Sequence, residues 1–94
     1  MLVEIKKLQI QNIGHKRDIS IQKMYINTNN IVSIGDYEGV LPFLISEKSG
    51  YSENSFSLIK VNTGSGTEDI IALGSSKEIF ESFRKSKDKR LLNE

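Results

Sequence analysis

The sequence predicts an α+β domain: a small antiparallel β-sheet, or a partly open barrel, of about five to six strands, carrying one C-terminal helix. Three observations lead there. Apolar residues alternate in short runs over residues 1–74, and turn-forming residues interrupt those runs. At Gly74-Ser75-Ser76-Lys77-Glu78 the pattern changes to a helix start. The 94-residue length fits one domain, divided into a β-rich body over 1–74 and a helix over 75–92.

The elements follow in order. Val3 and Ile5 share one parity, Leu8 and Ile10 the other, so Lys6-Lys7 marks a phase slip and predicts a bulge. Asn12-Ile13-Gly14-His15-Lys16 reads as a turn, and Ile19 and Ile21 resume the alternation, making a first hairpin. Asn27-Thr28-Asn29-Asn30 is a second turn cluster, because asparagine bonds its own backbone and tolerates left-handed dihedrals. Ile31-Val32-Ser33-Ile34 forms a short strand that ends at Gly35-Asp36-Tyr37-Glu38-Gly39. Leu41, Phe43 and Ile45 alternate and predict another strand, at a sheet edge because Pro42 has no N–H to give a ladder. After a polar loop over residues 46–54, residues 56–61 and 70–73 flank the glycine-rich Thr63-Gly64-Ser65-Gly66-Thr67 as a second hairpin. Ser75 and Glu78 form a capping box, and Ile79, Phe80 and Phe83 give the helix a core-facing stripe. Past Phe83 the stripe fades until Leu91 and Leu92, which leaves the last turns to project from the body or to pack on a partner.

Composition excludes several function classes. With no cysteine there is no disulfide, no thiolate nucleophile and no Cys-based zinc or iron–sulfur site. His15 is the single histidine, and a conventional zinc site needs more nitrogen or sulfur ligands than it supplies. Asp36 and Glu38 fall short of the six to eight oxygens calcium takes. Thr63–Thr67 could curl into an anion-binding nest, but Glu68-Asp69 follow it directly, and a hairpin tip is the simpler reading. No catalytic constellation and no cofactor is expected. No apolar run reaches the roughly 20 residues that span a bilayer, and the N-terminus lacks the apolar centre of a signal peptide. The expected location is the cytoplasm, of a bacterium or of a phage-infected host.

Charge is uneven although the net value is only +1. Residues 1–23 carry five basic groups against two acidic, residues 24–76 two against six, and residues 77–94 six against four. Should the termini meet, one face is basic. Its candidate members are Lys6, Lys7, Lys16, Arg17, Lys23, Arg84, Lys85, Lys87, Lys89 and Arg90, with Lys6, Lys7, Lys16, Arg17, Arg84, Lys85, Lys87 and Arg90 the first choices for binding. Nucleic-acid contact would want aromatic side chains interleaved with them, and the sequence places none beside the N-terminal group.

Two resemblances bear on function. Ile5-Lys6-Lys7-Leu8-Gln9-Ile10-Gln11-Asn12-Ile13-Gly14 resembles the first strand of the SMC/RecF class of ATPases. Those enzymes need a G-x-x-x-x-G-K-[ST] loop to cradle phosphates, and this chain contains none. Residues 26–85, with their strand, hairpin and Gly-Ser-Ser-Lys-Glu helix start, are similar to small bacterial proteins of the FlbD/SwrD type, with 38–54 as a departure. That pattern carries no activity across. The Asn-, Ile- and Lys-rich vocabulary is similar to that of accessory proteins of AT-rich phages. The expectation is a non-catalytic binding module, a phage or bacterial accessory or regulatory protein acting through protein–protein contacts and able to form a homo-oligomer. The alternatives are a nucleic-acid binder using its basic termini and an oligomeric binder of a small ligand such as a nucleotide.

Overall fold

The computed structural model describes the backbone through Leu92 and the side chains of residues 1–85. Strands β1 (Leu2–Ile13), β2 (Lys16–Asn27), β3 (Ile31–Asp36), β4 (Phe56–Asn62) and β5 (Thr67–Leu73) form one open antiparallel sheet in the order β2-β1-β5-β4-β3. Helix α1 (Leu41–Ser46) lies between β3 and β4 in the chain, and α2 (Ser76–Leu92) follows β5. The α+β architecture expected from the sequence is therefore an open sheet with β2 and β3 at its edges.

The expected bulge at Lys6-Lys7 does not form. β1 and β2 pair without interruption from Leu2 opposite Asn27 to Ile13 opposite Lys16. The change of parity has another cause, since the sheet is covered on both faces. Val3 and Ile5 join Ile26, Ile59, Val61, Ile70, Ala72 and Ile79 in a core beneath α2. Leu8 joins Val40, Leu44 and Phe56 in a core beneath α1 on the other face. A strand that starts under one helix and continues under another switches its buried parity with no extra residue. The bulge lies instead in β3, between Ile31 and Ser33. It turns Val32 to solvent and leaves Ile31 and Ile34, three residues apart, packed against the same core.

The expected strand over Leu41–Ile45 is a helix. Pro42 occupies its first turn, where no N–H is required and the fixed φ of proline fits. Val40 and Leu44, four residues apart, point together into the sheet and are buried, while Ile45 is exposed. The outer edge is thus β3 rather than a proline-containing strand. Arg17, on β2, reaches across to this layer: its guanidinium lies 3.1 Å from Glu47 Oε1 and 5.3 Å from the centre of the Phe43 ring.

The β5–α2 junction forms as the capping box predicts. Gly74 takes φ +114°, a region that side chains rarely adopt, and its carbonyl accepts from the buried Ser57 hydroxyl at 2.7 Å. Ser75 Oγ accepts from the Glu78 N–H at 3.2 Å and donates to Glu78 Oε1 at 3.1 Å. Asp36 adds a contact not visible in the sequence, accepting from the Ser76 N–H at 2.8 Å across 40 positions of chain. That bond, to a backbone amide at a helix N-terminus, holds the Asp36 carboxyl below the usual carboxylate range.

Candidate functional site

α2 crosses its face of the sheet without covering all of it. Ile79 is buried and Phe83 is half-buried against the core, but Phe80 is 56% exposed. Helix geometry explains why the stripe expected from the sequence is narrower than three residues. Residues 79 and 83 sit about 40° apart around the axis, whereas 80 sits about 100° from 79. Phe80 therefore looks sideways, over the space between α2 and the outer strand β3.

That space is an open groove of about 420 Å³. Ile31 and Ile34 form its β3 wall, Phe80 and Phe83 its α2 wall, and Met1 closes one end. Arg84 is the one charged side chain in its described lining, and it makes no ion pair with a described carboxylate. Each wall has a local cause. The β3 bulge brings Ile31 round to stand with Ile34. The Met1 carbonyl accepts from the Thr28 N–H at 2.9 Å, which fixes the first residue against the turn after β2.

A second concavity, of about 370 Å³, lies on the opposite face between Ile10, Tyr37, Phe43 and Ile71. Its charged residue is Arg17, already paired with Glu47. A third, of about 250 Å³, lies beside the start of α2 with Glu4 and Glu78 in its wall, a mixed lining with no apolar floor comparable to the first. Of these three concavities, the α2–β3 groove alone combines an exposed aromatic side chain with an arginine that has no described carboxylate partner.

The basic residues singled out in the sequence are dispersed. Met1 and Arg84 line one groove, so the N-terminus does meet the described part of α2. Lys6 and Lys7 are neighbours in β1 and point to opposite faces. Lys16 and Arg17 follow the hairpin turn, at the far end of a strand that at about 3.4 Å per residue is roughly 40 Å long. Arg84 and Lys85 are exposed on α2. Lys87 and Arg90, like Leu91 and Leu92, have side chains outside the described residues. The expectation that no aromatic side chain stands beside the N-terminal basic residues is overturned on one strand face: Lys6 lies directly opposite Lys23, and Tyr25, exposed, shares that face. The signal for this grouping was the spacing of Lys23 and Tyr25, two apart in a strand.

Among the described residues no three His, Asp or Glu side chains gather into a metal-binding group, and no helix is long and apolar enough to cross a membrane. His15 stays in the first hairpin turn, exposed. Thr63–Thr67 is a closed tip, in which Gly64 N–H donates to Asn62 Oδ1 at 2.9 Å and Thr63 bonds the Gly66 carbonyl through both N–H and hydroxyl. Comparison with known proteins finds no family model, no characterised protein and no solved structure that matches this chain.

Proposed function

We propose that this protein is a non-catalytic binding module whose working surface is the α2–β3 groove, taking an apolar segment of a partner protein. The observation that carries the reading is Phe80, a large aromatic held 56% exposed at the rim of a groove walled by Ile31, Ile34 and Phe83. Aromatic residues beside arginine are the side chains that most often dominate protein–protein binding energy, because they offer large, stiff contact area and a directed charge. Such a lining supplies contact and orientation, and the Thr28 hydroxyl within it donates to the Met1 carbonyl.

Affinity capture from bacterial lysate with the wild-type chain, Phe80→Ser and Arg17→Ala tests this. A stoichiometric partner held by wild type and Arg17→Ala, and lost with Phe80→Ser at unchanged melting temperature, is the expected result. Equal capture by Phe80→Ser, or capture of nothing by the wild type, sinks the assignment of this groove.

A second reading has its own observation, the Lys6–Lys23 pair beside Tyr25 on an exposed strand face. Like charges opposite each other on a sheet are unfavourable unless an anion lies between them, and an adjacent ring can stack on a base. Glu4, opposite Tyr25 on that face, opposes such binding, which is why protein contact is preferred. Absence of any single-stranded DNA or RNA binding at about 50 mM salt eliminates this reading.

A further inference from the structure

We infer that the groove takes its partner as an extended peptide, added to β3 as a sixth strand, with a carboxylate of that peptide on Arg84. The inference rests on the binding-module reading and specifies the class of ligand. β3 is an outer strand, so one of its sides has backbone groups with no neighbouring strand. Tyr37 N–H donates to the Phe56 carbonyl at 2.9 Å just beyond the end of β3. Antiparallel alternation then turns the Gly35 backbone toward β4 and the N–H and C=O of Ile34 and Asp36 outward. The Asp36 side chain is already bound to Ser76, so it stays clear of an incoming strand.

Side chains of an added strand alternate between the two faces of the sheet. Those on the α2 face continue the row of Ile34 and enter the space before Phe80 and Phe83. This is strand addition with side-chain pockets, in which main-chain hydrogen bonds give affinity and pockets give selectivity. The bulge at Val32 blunts the start of β3 and confines regular pairing to the stretch from Ser33 to Asp36. The peptide is therefore short. Charge fixes the rest of its chemistry. A guanidinium binds a carboxylate through two parallel N–H donors, and Arg84 is an exposed side chain in the wall of the groove. A peptide of alternating apolar residues with one Asp, Glu or terminal carboxylate matches these walls; a nucleic-acid strand leaves the apolar ones unmatched.

The test selects random heptapeptides on a display library against the whole chain, then synthesises the enriched sequences in plain form and N-methylated at each backbone amide. Enriched peptides should alternate apolar residues and carry a carboxylate. Saturation should slow amide exchange at Ile34 and Asp36, and N-methylation at a pairing position should abolish binding. Arg84→Glu should weaken binding about tenfold or more, while Lys85→Glu, an identical charge change outside the groove lining, should leave it within about twofold. Peptides that need Phe80 yet tolerate N-methylation at every position, with Ile34 and Asp36 exchange unchanged, overturn strand addition and leave the binding module standing. Peptides indifferent to both Phe80→Ser and Arg84→Glu, or no enrichment at all, overturn the groove as a peptide site.

Discussion

The two helices cover opposite faces of one sheet and are secured by different means. α1 is six residues long, has no side-chain cap and holds its place through Leu44, fully buried with Val40 and Phe56 around it. α2 inserts Ile79 into the core and rests Phe83 on it, and its first turn is tied by Ser75, Glu78 and Asp36. A short helix without caps is not stable by itself, so packing must supply what hydrogen bonding does not. A capped helix can afford a narrow apolar stripe and leave other side chains free. Both helices leave one large apolar side chain exposed, Ile45 on α1 and Phe80 on α2, but only Phe80 stands in the wall of the groove beside β3.

The largest expected effect belongs to the packed layer. Leu44→Ala should destabilise the protein by about 2–5 kcal/mol in urea unfolding, the range for emptying a well-packed leucine site. A loss under about 1 kcal/mol would show that the α1 face collapses to fill the space, and would break the contrast between packed and capped layers. Ser75→Ala should cost about 1 kcal/mol in the same measurement. A cost above that of Leu44→Ala would invert the comparison.

The smallest effect sharpens the capped side through pH. The folded-state carboxyl of Asp36 is held low mainly by the Ser76 N–H, so its ionised form is the stabilising one. Its contribution is complete above the unfolded carboxylate value, about pH 4, and is lost as pH falls through the lowered folded value. Melting curves of wild type and Asp36→Asn should differ near pH 6, and the difference should shrink as pH falls below about 4, the unfolded carboxylate value. A difference that stays constant with pH would mean that the charge on Asp36 does not act on α2.

Legibility in the sequence followed the range of the interactions. The Gly74–Glu78 junction was readable because its partners lie within a few positions of one another. Both hairpins were readable because their turns carry Gly and Asn at the points of reversal. The α1 segment misled because Leu41, Phe43 and Ile45 satisfy period two, while Val40 and Leu44 equally satisfy a helical spacing of four. A run of six residues contains too few turns to separate the periods. Of the groove, Arg84 was marked for its charge and Phe80 as core. Neither Ile31 and Ile34 nor Met1 was marked, since the nearest of them is 46 positions from Phe80.

The sequence alone determined the α+β class, the two hairpins and the start and capping of α2, because alternation, turn chemistry and a capping box act over at most a few residues. Tertiary structure decided that both faces of the sheet are covered, that residues 41–46 are helical, that Asp36 caps α2 from a distance, and that Phe80 overlooks a groove instead of filling the core. These outcomes depend on which surfaces meet after the chain folds back on itself. A helix direction differing by one residue, about 100° of rotation, separates a buried phenylalanine from an exposed one.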